Sequence, residues 1–431
     1  MPSMTLLIFM GLAVVATLEL GVLLAASPAV ALSVCLVLAT FESYNVQKGV
    51  AVQGFSVYPT DLLLAALVVA VVLQILTRGR RGDWRFGALF GLLVFALWRG
   101  LSEVGLAGAV NASREMLGFV TAGIYFSSVR VGELKVEQLR RWWIVCSVGI
   151  TVLGLAFWSA NGFGSYATSG ARALNSVQAL TVLQGILIVV LVPYRVRFTR
   201  WAIPLGGAIV ILLSAQRTVW IVAVVSLLLL ALTGGLSTRH QDRGRTRLLV
   251  GTLVVGLTAL VAASPSAVSS DLTQATTSAT GQDSTFAWRT TRWAELVTKQ
   301  LDGPWTNLLF GEPAGVQIQI DLAANVAAHS MWVGALAWGG VIGLALLCWL
   351  TLGTLSGLWR HRTEPAPELV RQMSNTLLLL LAGLAIWFFS YSTGLLAGIV
   401  LGLAAASARW LGGLQVAESS TAISAEIWGT A

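Results

Sequence analysis

The chain has 431 residues, of which 56% are hydrophobic and only 11% charged, and its mean hydropathy is +0.80. That composition excludes an ordinary soluble domain and fits a polytopic membrane protein. The formal net charge of +8 sits in short connections between apolar runs, so it gives no reason to expect a nucleic-acid partner.

A membrane helix needs about 20 apolar residues. In chain order, apolar runs lie near 4–41, 60–77, 86–106, 115–129, 142–159, 177–194, 201–214, 218–235, 248–263, 330–358, 373–389 and 391–409. Lipid offers a backbone amide no partner, so each run is expected to be a helix. The first run has two readings: a span plus a half-helix broken at Ser27-Pro28, or two short spans. The expected fold is therefore an all-α polytopic membrane protein of about 12 transmembrane helices, or about 13 if the first run divides. No basic residue precedes the first run, so it lacks the charged start of a cleaved signal and is read as retained.

Orientation follows from the basic connections. They hold Arg78, Arg80, Arg81 and Arg85; Arg130, Lys135, Arg140 and Arg141; Arg195, Arg197 and Arg200; Arg239, Arg243, Arg245 and Arg247; and Arg360, Arg362 and Arg371. The positive-inside rule makes them cytoplasmic. The chain then divides into an N-terminal transmembrane bundle (1–263), an extracytoplasmic loop (264–329), C-terminal transmembrane helices (330–410) and a tail (411–431) expected to be disordered and cytoplasmic.

The long loop opens with a Ser/Thr/Ala-rich stretch, 264–285, expected to be flexible. Over 286–301, Trp288, Trp293, Leu296 and Leu301 recur at helical spacing, which predicts a helix lying on the outer membrane face. Gly303-Pro304 ends that helix, and Gly311 to Gly315 makes a turn. Cys35, Cys146 and Cys348 each stand inside an apolar run and form neither a disulfide framework nor a metal set.

A charge inside a membrane costs about 2.5–3.5 kcal/mol on insertion scales, so each one needs a reason. The run 201–214 is too short to cross in full, which leaves Ser214-Ala215-Gln216-Arg217-Thr218 below the outer surface, where a guanidinium either finds an anion or snorkels to the headgroups. Arg114 stands beside Glu115 at another outer helix end, as an anion ligand or half of a local ion pair. Arg99 and Glu103, four apart, are expected to neutralise each other. Arg172 precedes Asn175 in the outward loop 160–176, where solvation would also account for it. Arg289 and Arg292 precede Trp293 on the surface helix, a pattern that also serves plain anchoring.

The chain has 3 histidines, and His240 and His361 lie in basic clusters. His329 stands where the long loop re-enters the membrane, as a helix cap or as a proton acceptor. Arginine forks bind phosphate oxygens bidentately and keep their charge. Arginines and one imidazole at a common outer vestibule would suit a phosphorylated lipid and displacement of its diphosphate by a hydroxyl.

These segments together resemble the O-antigen ligase and polymerase family of lipid-linked glycan transferases. The likeness rests on Ser214-Ala215-Gln216-Arg217-Thr218 between short helices, Arg289-Thr290-Thr291-Arg292-Trp293 in the loop, and Ala328-His329-Ser330 followed by Leu336-Ala337-Trp338-Gly339-Gly340-Val341-Ile342-Gly343-Leu344. Arg114-Glu115 and Arg172 shortly before Asn175 fit the same outline. Two positions depart from it: Ser330 where the family usually has Asn, and Gln216 where it often has Ser.

The resemblance implies a C-type glycosyltransferase (GT-C) fold in the bacterial plasma membrane, its site facing the extracytoplasmic side. It implies an inverting transfer of glycan from an undecaprenyl-pyrophosphate-linked donor to a glycan or lipid acceptor hydroxyl, without metal or nucleotide cofactor. It gives His329 the catalytic role and Arg217, Arg114, Arg289 and Arg172 the donor pyrophosphate, with Arg292, Ser330 and Asn175 supporting. A polytopic secondary transporter or lipid-linked oligosaccharide flippase is the alternative, and it predicts an internal repeat that the chain does not display.

Overall fold

The computed structural model describes residues 4–41, 50–52, 55–130, 133–161, 173–191, 197–214, 216–232, 251, 285–316, 330–360, 368–391 and 394–428. It is a helical membrane protein. Among the described residues, 5 helices are long and apolar enough to cross a membrane, and shorter apolar helices pack among them. The expected crossing at 248–263 and the stretch 264–284 lie outside the described residues, apart from Gly251.

The first run breaks where proline predicts. Helix α1 (Met4–Ala26) ends at Ser27 and α2 (Pro28–Phe41) begins at once, with Ser27 N and Ser27 O bonded to Leu23 and Ala31 across the joint. The helical fold carries one small addition between α2 and the next helix. Strands β1 (Val50–Val52) and β2 (Phe55–Val57) pair antiparallel, with Val50 opposite Val57. Valines alternating with small residues fit a pleated ribbon, and the segment is too short to span.

Helix α3 (Pro59–Arg78) leads through Gly79 in a left-handed turn to α4 (Trp84–Ser128). Two apolar runs were expected within α4, and the helix does fold back at Gly105, whose φ of 72° and ψ of 174° interrupt it. Phe86 near its start stacks on Phe119 at 5.8 Å, and Asp83 N donates to Ser127 Oγ at 2.9 Å. The two legs are therefore antiparallel neighbours.

Next come α5 (Val136–Asn161), α6 (Ser176–Leu191), α7 (Arg197–Leu213) and α8 (Arg217–Leu232). In the loop, α9 (Thr285–Asp302) and α10 (Trp305–Phe310) flank Gly303-Pro304. The last helices are α11 (Met331–Arg360), α12 (Glu368–Trp387) and α13 (Gly394–Trp428). Helix α13 runs on past 410, where Val416, Ile423 and Ile427 recur in the sequence at helical spacing.

Helix α13 packs along the second leg of α4 through glycines four apart. A β-carbon at Gly394 would stand 2.6 Å from the Glu115 carbonyl, one at Gly398 2.8 Å from Ala122 Cβ, and one at Gly402 2.9 Å from the Gly123 carbonyl. Small residues at this spacing let two backbones touch, which in lipid replaces the hydrophobic drive for packing.

Among the described residues, arginines of the connections around 80 and 140 gather at one end of the bundle. Arg80 pairs with Glu133 ahead of α5, Arg140 Nη1 reaches Gln372 Oε1 of α12 at 3.1 Å, and Arg85 Nη1 reaches the Trp349 carbonyl of α11 at 3.2 Å. The opposite end collects the starts of α3, α8, α11 and α13 with the end of α12.

The loop docks between two breaks. Gly311, with φ 81°, meets the backbone of Trp338 and Gly339, while Gly340, with φ 63°, meets that of Leu309 and Phe310. Glu312 N donates to the Ala337 carbonyl at 2.7 Å and Ala314 N to the Ala96 carbonyl at 2.9 Å. Here the expected pairing of Arg99 with Glu103 fails. Arg99 turns from Glu103 to the loop, giving Nη1 to the Gly311 carbonyl at 2.7 Å and Nη2 to Asn307 Oδ1. Carbonyls fixed by the glycine turn satisfy its fork better than one flexible carboxylate on its own helix.

Candidate functional site

The end opposite the basic connections holds three polar groups. The first lies on the turn after α12. Met331 N donates to the Phe388 carbonyl at 2.9 Å, and Ser330 Oγ donates to the same oxygen at 3.0 Å. Two residues on, the Ser390 carbonyl accepts Arg289 Nη1 at 3.2 Å, and the Arg289 guanidinium lies over the Tyr391 ring at 4.7 Å. Tyr391 stacks in turn on Trp387 at 4.6 Å. One short turn thus receives both the loop helix and the start of α11.

The charge balance here is uneven. Arg292, one helical turn beyond Arg289, is answered by Glu295 at 2.7 Å. Among the described residues, no carboxylate lies within ion-pair distance of Arg289. Beside it, the buried indole N–H groups of Trp387 and Trp332 find no acceptor among the described residues.

The second group is Arg114 with Asp61 and Tyr58. Arg114 Nε lies 3.1 Å from Asp61 Oδ1, and its guanidinium covers the Tyr58 ring at 4.7 Å. The other carboxylate oxygen of Asp61 accepts Tyr58 N at 2.9 Å, which caps α3 and holds the carboxylate still. Glu115 abuts Gly394 at the start of α13, so this group joins the turn after α12 through the chain between Tyr391 and Gly394.

The third group surrounds Arg217, the half-buried first residue of α8. Its neighbour Gln216 is buried and donates Nε2 to the Leu174 carbonyl at 3.0 Å, while Trp220 Nε1 donates to the Ile211 carbonyl at 3.1 Å. Helix α8 packs on α12: a β-carbon at Gly383 would stand 3.2 Å from Val222 Cγ1. Arg217 precedes Val222 by as many residues as Phe388 follows Gly383, so in antiparallel helices it lies at the level of the turn.

Two residues expected to support the site have structural duties. Asn175 caps α6 in a reciprocal box, Oδ1 accepting Gln178 N at 2.8 Å and its own N–H donating to Gln178 Oε1 at 3.1 Å. The Ser330 hydroxyl is buried and committed to Phe388. His329, which directly precedes Ser330 in the chain, and Arg172 lie outside the described residues.

Sequence reasoning missed Asp61, Tyr58, Trp387 and Tyr391. Asp61 alone carried a signal, as an acid in the first turn of an apolar run; the aromatic residues look like any interfacial side chains. The described residues contain no cluster of histidine, cysteine or carboxylates able to hold a metal. The sequence matches no protein-family model and no curated protein.

Proposed function

We propose that this protein transfers a glycan from a polyprenyl-diphosphate carrier to an acceptor hydroxyl, at the membrane face opposite its basic connections. The observation that carries this reading is the Arg289 guanidinium, fixed on Tyr391 and Ser390 with no carboxylate partner among the described residues, beside the start of α11. The likeness to O-antigen ligases and polymerases, and the place of His329 just ahead of Ser330, give that charge a reaction to serve.

In this mechanism Arg289 and Arg217, with Arg114 and Arg172, hold the diphosphate. The acceptor oxygen attacks the anomeric carbon, the bond from that carbon to the diphosphate oxygen breaks with inversion, and the hydroxyl proton passes to the His329 imidazole. Fixed guanidinium groups offset charge growing on the leaving oxygen. The diphosphate departs as an anion, which an arginine stabilises without a proton.

The test is purified protein with a lipid-linked donor, alone and with acceptor lipid. His329→Ala is expected to bind donor and lose transfer by roughly 10²- to 10⁴-fold. Transfer at the wild-type rate removes histidine from the chemistry. Elongation of the donor alone identifies a polymerase, and product only with a second acceptor a ligase. Movement of the donor across vesicles without a new glycosidic bond replaces the transferase reading by a flippase.

A further inference from the structure

At the end of the bundle carrying the basic connections, α4, α11 and α13 meet around two arginines and one acid. Arg85 sets Nη2 2.7 Å from Asp83 Oδ2 and Nε 3.0 Å from Oδ1, while its Nη1 donates to the Trp349 carbonyl at 3.2 Å. Arg409 of α13 donates to the Ser127 carbonyl, and the hydroxyl of the same serine accepts Asp83 N at 2.9 Å. Asp83 is buried and committed to Arg85. Among the described residues, no carboxylate lies within ion-pair distance of Arg409, which stays exposed. The three side chains together therefore carry a net positive charge.

The surroundings are shaped for something with both charge and hydrocarbon. Trp84 is 61% and Trp349 54% exposed, and their rings meet edge to face at 5.1 Å. Arg85 lies 5.9 Å from the Trp349 ring centre, at the back of the pair. Glycines on the facing side of α11 let these groups close on the helix: a β-carbon at Gly353 would stand 3.1 Å from Arg85 Nη1, and one at Gly357 3.3 Å from Ala408 Cβ, next to Arg409. Beyond the tryptophans, Leu352 is 59% exposed on the outer surface of α11. A free phosphate would use the charge and leave the aromatic wall wet. A phosphodiester carrying acyl chains uses both, since indole rings settle at headgroup level and basic pockets between helices hold acidic headgroups.

We propose that Arg409, Arg85, Trp84 and Trp349 form a binding site for the headgroup of an anionic phospholipid in the leaflet beside the basic connections. The site lies at the opposite end from Arg289 and does not depend on the glycan-transfer reading.

The test uses the full chain in detergent, with phosphatidylglycerol, phosphatidylcholine or inorganic phosphate added, reading the melting temperature and the bound lipid by native mass spectrometry. Phosphatidylglycerol is expected to raise the melting temperature and remain bound, and the other two to do neither. Arg409→Gln is expected to weaken phosphatidylglycerol binding about fivefold, since one basic residue near an anionic surface is worth about 1 kcal/mol. Trp349→Leu, at an exposed position, keeps the proposal testable if Arg409→Gln fails to fold, and is also expected to lower retention. Equal effects of the two lipids, an equal rise with phosphate, or wild-type retention in either variant overturns the proposal.

Discussion

Each arginine at the end opposite the basic connections is answered differently, and the difference predicts what its loss will do. Arg114 depends on Asp61, so Asp61→Asn is expected to lower turnover when donor is scarce by releasing the guanidinium from its fixed position. Adding Asp61→Asn to Arg114→Gln should then cost little more than Arg114→Gln alone, because coupled residues are not additive; fully additive losses in kcat/KM would show that the pair does not act as one. Arg217→Lys is expected to weaken donor turnover with charge retained, because a lysine lacks the planar fork; undiminished kcat/KM in the lipid-linked donor assay counts against its role.

Asp83 makes a separate prediction about pH. Burial would raise its pKa, but the hydrogen bonds from the Arg85 side chain and backbone, with the charges of Arg85 and Arg409, outweigh this and hold the carboxyl below the usual range. A folded pKa below the unfolded one means stability that is present above the unfolded value and lost as pH falls through the folded value. Asp83→Asn is therefore expected to lower the melting temperature at neutral pH and to flatten its decline on acidification; a parallel decline in wild type and variant would refute the linkage.

Among the elements, the breaks in α4 and α11 matter more than their lengths. Gly340 combines φ 63° with ψ −162°, a region essentially closed to residues with a β-carbon, and its backbone faces Leu309 and Phe310. Gly340→Ala is expected to cost at least about 1–3 kcal/mol of strain and to loosen α10 from α11. Faster proteolysis of 303–316 in the variant is the observable, and wild-type resistance would show that the interlock does not hold the loop. Arg99 fastens the same contact from α4, through the Gly311 carbonyl and Asn307. The sequence marked Trp338-Gly339-Gly340 as part of a motif, and the structure gives it a mechanical role as the seat for the returning loop. The glycine contacts that carry this explanation join segments far apart in the chain, so no local pattern displays them.

Taken whole, the molecule has one set of arginines in its short connections at one end and a second set, with Arg114, Arg217 and Arg289, at the other. Among the described residues, the segments on either side of these connections meet through Arg80 with Glu133 and Arg140 with Gln372. Single cysteines placed at Arg81 and at Trp305, both on exposed positions, are expected to react with impermeant thiol reagents from opposite sides of sealed vesicles. Labelling of both from the same side would overturn the two-ended reading.

Composition and hydropathy alone determined that the chain is a helical membrane protein, because lipid leaves an apolar segment no other way to satisfy its backbone. They also located the break at Ser27-Pro28 and the helix over 286–301, since proline geometry and helical periodicity are local properties of the chain. What only the tertiary structure decided was the partner of each charge. Arg99 left Glu103 for the loop, Arg114 found Asp61 on another helix, and Arg289 settled on Tyr391 with no acid beside it among the described residues. A guanidinium takes whatever acceptors packing brings within about 3 Å, and those come from residues far away in sequence.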